Sequence, residues 1–349
     1  MVNTDPIRTN RSEHIALFAL CLGVIGIAWA GILFRLSEVG PVATAFWRVA
    51  LAFPVLILWR FAESRKDSAS RQPVRTDLTA PGSPSRDPTG VPPPGPASWL
   101  DGRLGLFAAG AFFAGDLAFW HWSLTWTTVA NATLFANAAP LYVTLAGWAL
   151  LGRRFSRRFL WGLGLAVLGA GLLMGASLRL GPQNLVGDLL AMVTALFLAA
   201  YLLAVERLRL RHSTATIMAW NAGAGAVLLL PLALLLEDAL FPATASGWLA
   251  LAALALVSHV LGQSLIAFSM ARLPAAFTAV SLLMQPVLAA LFAWAVLAEA
   301  VGPFQLLGGA VILCGILLAR GGSRPVQTTT GAETAGAAPI PVGRAEGPP

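Results

Sequence analysis

Apolar residues run along this chain in blocks of roughly 17 to 25, separated mostly by short polar turns. At a 1.5 Å rise per residue, about 20 apolar residues in a helix match the ~30 Å hydrocarbon core of a bilayer. Ten such blocks occur, near 14–36, 41–61, 103–123, 128–151, 158–177, 184–206, 214–236, 245–269, 274–298 and 302–319. The pattern predicts an all-α integral membrane protein with ten transmembrane helices. Residues 62–101 and 321–349 break it: both are rich in small residues, Pro and Arg, and read as a disordered loop and a disordered tail. Residues 1–13 read as a short N-terminal tail. The first block lacks a convincing small-residue cleavage site and precedes many further spans, so it reads as a retained helix and not a cleaved leader.

Composition agrees. The 349 residues are 57% hydrophobic and 11% charged, against about 25% charged in a soluble domain. The net charge of +7 raises the question of nucleic acid, but the basic residues sit in clusters between apolar blocks and no nucleic-acid motif accompanies them. Cys21 and Cys314 both lie inside apolar blocks, which leaves no disulfide or metal framework. Ten spans place both termini on one side. That side collects Arg8, Arg11, Arg60, Arg65, Lys66, Arg103, the "RRFSRR" cluster (Arg153, Arg154, Arg157, Arg158), Arg207, Arg209, Arg211, Arg272, Arg320 and Arg324. The other side has only Arg35 and Arg179, with the acids Glu38, Glu237, Asp238 and Glu299. The imbalance predicts cytoplasmic termini; a lipid head-group site is the other reading of "RRFSRR".

The chain also repeats itself. A shift of 146 positions lays Pro140 on Pro286, Trp148 on Trp294, Gly162 on Gly308 and Gly169 on Gly315. At another spacing "FWRVA" (46–50) faces "AWNAG" (219–223), so Arg48 pairs with Asn221. Each half, 14–177 and 184–320, holds five spans. An odd number forces the two copies to run in opposite senses, and inverted repeats of this kind are characteristic of secondary transporters with a midplane site.

The run "TVANATLFANAAPLYVTLAGWALLGRRFSRRFLWGLGLAVLGAGLL" (128–173) has its partner in "QPVLAALFAWAVLAEAVGPFQLLGGAVILCGILLA" (285–319). With "WRVALAF" (47–53) and "GDLLAMVTALFLAAYLL" (187–203), it resembles the EamA-type transporters of the drug/metabolite transporter superfamily, over roughly residues 14–320. The resemblance implies export of small metabolites or drugs, amino acids and their analogues among them, across a bacterial inner membrane. The family often carries Gly-Glu after the fourth span; this chain has Gly152-Arg153 and keeps the acid only at Glu299.

Charged residues inside spans are expensive and mark function or pairing. Counting rise per residue puts Arg48 and Asp116 at one depth, about 10 Å below the face opposite the termini. Either they line a solute cavity, Asp116 taking an ammonium or a proton and Arg48 a carboxylate, or they bridge two helices. The second half mirrors them near the other face with Asn221, His259 and, one turn below His259, Gln263. Thr133 and Asn137 share a face just before Pro140, and Gln285 precedes Pro286; these amides read equally as ligand contacts at kinked helices or as interhelical hydrogen bonds. His121, between Trp120 and Trp122, reads as part of an aromatic belt. Trp148 and Trp294 read as packing or interface residues. Gly171 and Gly175 form a small-xxx-small pair read as close helix packing, with contact between two copies of the chain as the alternative. No Walker A motif, catalytic set, metal site or cofactor is read. The expected partners are a small-molecule solute and the bilayer, with no nucleic acid; an intramembrane enzyme or a lipid-handling protein is the alternative function.

Overall fold

The computed structural model describes residues 6–70, 102–123, 125–127, 129–175, 181–297 and 302–323. The remainder of the segment 62–101 and of the tail 321–349, together with Arg179 and Glu299, lies outside the described residues. Among the described residues the regular structure is entirely helical. The first half comprises α1 (Pro6–Ala28), α2 (Ala30–Arg35), α3 (Pro41–Ser70), α4 (Arg103–Ser123), α5 (Val129–Ala136), α6 (Ala139–Ala149) and α7 (Arg157–Gly175). The second comprises α8 (Leu185–Leu208), α9 (Thr214–Leu236), α10 (Ala245–Ala253), a π-helical segment (Leu254–Gln263), α11 (Ser264–Ser269), α12 (Ala275–Leu282), α13 (Met284–Leu297) and α14 (Pro303–Gly322).

Among the described residues, eight helical stretches are long and apolar enough to cross a membrane. The other two apolar blocks of the sequence are α4 and the pair α5–α6, which belong to the same bundle and pack on α8. Leucines and tryptophans with no partner in the bundle cover its flanks, Leu150 and Leu235 at 80% exposure and Trp161 at 74%. Such a surface suits lipid and not water. The chain is a multi-pass membrane protein. Helix α3 runs on to Ser70, past the end of its apolar block at 61; "AESRKDS" contains neither Pro nor Gly to stop it.

The two halves pack reciprocally. Helices α7 and α14 lie antiparallel with their glycines interlocked. A Cβ on Gly162 would come 2.3 Å from the Ala319 nitrogen, and one on Gly315 2.5 Å from that of Ala166. Gly169 and Gly308 repeat the arrangement against Ile312 and Leu173. Lipid tails are as apolar as leucine, so close backbone approach, and not burial from water, holds such pairs together. Gly171 and Gly175, read from sequence as the packing pair, meet nothing within 4 Å. They lie on another face of α7, since close packing follows the face that Gly162 and Gly169 share seven residues apart.

Helices α3 and α9 are clasped at both ends in the same reciprocal manner. At one end Ser213, the N-cap of α9, donates its hydroxyl to Glu63 near the end of α3. At the other, Glu237 after α9 accepts the Val42 amide in the first turn of α3 at 2.7 Å. Each carboxylate satisfies a group at a helix N-terminus, where negative charge is favoured. Glu38 binds the Thr244 amide at 3.1 Å on the Glu237 end. On the Glu63 end, Arg153 pairs with Glu206 at 2.7 Å, and Glu206 also accepts the Ala275 amide at the start of α12 at 2.9 Å. Arg153 thereby closes α8 onto the loop before α7.

Candidate functional site

Two helices break inside the bundle at positions 146 residues apart. Helix α5 gives way to α6 at Asn137–Ala138, and α12 to α13 at Leu283. Pro140 and Pro286 cause this: each lacks an amide hydrogen, and its ring excludes the carbonyl one turn earlier. A third element departs from regular helix without proline. The π-helical segment packs on α1, where Gly23, Gly26 and Gly262 let the two backbones touch. Ser258 fixes the contact by donating to the Gly26 carbonyl at 3.0 Å. π-helical turns of this type concentrate at functional sites.

These irregular segments surround a cavity of about 460 Å³. Six residues expected from sequence line it: Arg48 from α3, Asp116 from α4, Thr133 and Asn137 from the first break, Gln285 from the second, and Gln263 from the π-helical segment. Its apolar wall includes Phe113, Leu117 and Trp120. The cavity extends toward the Glu38–Glu237 end, where Phe34 and Arg35 also line it. Arg48 and Asp116 interact electrostatically, yet among the described residues neither makes an ion pair or a side-chain hydrogen bond. Arg48 instead lies with its guanidinium 5.8 Å from the Phe113 ring centre, and its Nε has no partner. Both side chains sit deep in the bundle and remain half-buried, because the cavity reaches them. A helix-bridging ion pair, the alternative reading, is therefore not formed. Two opposite charges thus stand unbridged on the lining of one cavity.

Asn221 and His259 do not join this lining. Both are completely buried behind it. The sequence reading placed His259 and Gln263 one helical turn apart, but i→i+5 bonding widens the turn, and only Gln263 reaches the cavity. Gln263 donates to the Tyr201 hydroxyl at 3.1 Å, and Asn221 donates to the same oxygen at 3.4 Å. Tyr201 was missed from sequence. Its signal is rarity, one of two tyrosines in the chain, placed mid-span where a hydroxyl needs a partner. Phe113 was missed because one phenylalanine among several carries no signal. The His121 side chain lies outside the described residues. Trp148 and Trp294, at 63% and 55% exposure, stand on the outer surface away from the cavity.

Asp188, in the first turn of α8, is a further acid within the spans, and its surroundings are structural. It accepts from the Thr127 hydroxyl at 2.6 Å and from the Asn131 amide at 3.0 Å, tying the start of α5 to the first turn of α8. Asp188→Ala removes the acceptor shared by the Thr127 hydroxyl and the Asn131 amide, at a cost of about 0.5–3 kcal/mol per lost hydrogen bond. The expected outcome is a lower melting temperature in detergent, largely restored by Asp188→Asn.

Comparison with known proteins decides the family. The sequence model of the EamA-like transporter family matches residues 14–175 and again residues 185–321. The chain belongs to the EamA-like transporter family. The two matches coincide with the two halves that interlock through α7 and α14. An uncharacterized transporter of Archaeoglobus fulgidus is 25% identical over 309 residues, covering 86% of this chain and 96% of that one. The pseudopaline exporter CntI of Pseudomonas aeruginosa is 27% identical over 208 residues, covering 60% of this chain and 72% of that one. A solved crystal structure has the same fold, with a TM-score of 0.69 at 21% identity over 89% of this chain and 96% of the other. In this EamA-like transporter, then, the cavity lies among the broken helices of two repeats.

Proposed function

We propose that the protein is a secondary transporter that moves small amphipathic metabolites across a bacterial inner membrane by alternating access, with export as its direction. The observation that carries this reading is the cavity itself: walled by two helices broken at matching prolines, it presents Arg48 and Asp116 side by side and unpaired. In this reading Asp116 holds a solute ammonium and Arg48 a solute carboxylate, while Phe113, Leu117 and Trp120 receive the apolar body. The volume falls within the roughly 300–1,000 Å³ usual for small-molecule sites. Amino acids with neutral or aromatic side chains, related amphipathic metabolites and cationic drugs are the solute classes that fit. The ten apolar blocks become ten spans with both termini cytoplasmic, in line with the basic residues gathered on that side. The names transporter and exporter carried by relatives support transport and its direction.

Counterflow tests the reading. Liposomes holding the purified protein and an unlabelled solute are expected to accumulate the labelled solute transiently, while empty liposomes do not. A panel of zwitterions, amines and carboxylates giving no flux above the empty control would sink the transporter reading.

A further inference from the structure

Two hollows indent the bundle from opposite ends, and a polar layer lies between them. The first is the Arg48–Asp116 cavity. The second, about 840 Å³, lies at the Glu63 end and is lined by Arg153, Glu206, Met270 and Leu273 among others. Helix α8 passes both. Thr194 and Leu198 line the first hollow, Leu203 and Glu206 the second, and fully buried Tyr201 stands between. On α4, Phe112 lines the second hollow and Phe113, the next residue, lines the first.

Around Tyr201 the interior is polar in a way that packing does not require. His259 is completely buried and neither of its ring nitrogens has a partner. Asn221 is equally buried, with its carbonyl oxygen unpartnered. Native interiors pair nearly all such groups, so each orphan needs a reason. The Phe113 ring separates this layer from the ionic cavity. Its centre lies 5.4 Å from that of His259 and 5.2 Å from that of Tyr201, with the Arg48 guanidinium 5.8 Å away. Asn221 and His259 are seven and ten residues from the Glu63 end of their helical stretches, about 10–15 Å along the axis.

We infer that Phe113 is the partition of the solute path, and that His259, Asn221 and Tyr201 form a second, oppositely facing binding compartment for the same solute. Gln263, which reaches the first cavity and donates to Tyr201, joins the two. The inference rests on the transporter reading. In the conformation described here Tyr201, His259 and Asn221 are fully buried, with the Phe113 ring against them on one side and the Arg153–Glu206–Ala275 clasp five residues further along α8 from Tyr201 on the other. When the clasp parts and the halves rock, the orphaned nitrogens and amide meet solute and water. The first compartment holds charge with charge. The second presents an amide, a phenolic hydroxyl and an imidazole, with no carboxylate among them to hold an ammonium, and so grips a zwitterion less tightly.

Cysteine accessibility tests this without any solute, so its result stands apart from the outcome of counterflow. Cys21 and Cys314 are exposed on the bundle surface and are replaced by alanine; His259→Cys or Asn221→Cys is then added in membrane vesicles of both orientations. A charged, membrane-impermeant methanethiosulfonate is the probe, with Thr133→Cys marking the first cavity. Phe113→Ala is expected to expose His259→Cys from the Glu38 face, and Glu206→Gln from the Arg153 face. The Glu206→Gln rate should rise about tenfold, as loss of one charge-assisted contact shifts a two-state equilibrium, and the Phe113→Ala rate by a similar factor, as removal of the ring opens the way from the first cavity. Phe113→Leu, which keeps the partition apolar and bulky, should leave the rates unchanged. Rates that stay flat in the Phe113→Ala background overturn the partition. Labelling of both cysteines from only the Glu38 face in the Glu206→Gln background overturns the oppositely facing compartment.

Discussion

Asp116→Asn is expected to lower the apparent affinity for a zwitterionic solute roughly ten- to a hundredfold, because a hydrogen bond to a charged group contributes about 1.5–3 kcal/mol. The substitution keeps shape and volume and removes only the charge. Folding should survive, since Asp116 makes no ion pair or side-chain hydrogen bond that the bundle depends on. Arg48→Gln should weaken binding by a similar factor. Because the two charges interact with each other and share the solute as a partner, the double variant should depart from additivity. Initial counterflow rates against solute concentration give the numbers. A helix-bridging role predicts instead loss of expression and a lowered melting temperature, with affinity unchanged in whatever protein survives.

The largest effect on stability should come from the helix pair that joins the repeats. Gly315→Val places its Cβ 2.5 Å from the backbone nitrogen of Ala166 and 2.8 Å from its Cα. Backbone cannot rotate away, so α7 and α14 must separate and lose contact along their length. Overpacking of a well-filled core costs about 1–3 kcal/mol and occasionally more; the upper end is expected here. Gly162→Val should do the same, with a Cβ 2.3 Å from the Ala319 nitrogen. Gly171→Ala on the open face of α7 is the control and should be neutral or stabilising by up to about 1 kcal/mol. Thermal unfolding in detergent separates the cases. Equal destabilisation by Gly171→Ala and Gly315→Val would contradict the assigned packing face.

Much of this architecture is legible in the sequence because membrane helices obey few rules. Apolar block length gives the helices, and the shift of 146 gives the repeat. Pro140 and Pro286 give the breaks, since a missing amide acts locally whatever surrounds it. Counting 1.5 Å per residue was enough to bring Arg48 and Asp116 to one depth. What counting cannot supply is rotation and separation. It did not reveal that the two charges stay apart, nor that Gly162 and Gly169, and not Gly171 and Gly175, turn toward α14. The π-helical segment has no sequence signature. Its wider turn moved His259 off the face deduced for it and left Gln263 alone in the cavity. Tyr201 organises Asn221 and Gln263 through one hydroxyl, a role that depends on three helices meeting and so is invisible in any one of them.

The central claim is that Arg48 and Asp116 together form the solute site, each serving one charge. Equilibrium binding of labelled phenylalanine to the purified protein, competed by phenethylamine and by 3-phenylpropionate, tests it most directly. Asp116→Asn should weaken competition by the amine and spare the acid, and Arg48→Gln should do the reverse. Variants that bind all three molecules as the wild type does, or lose all three alike, would contradict it.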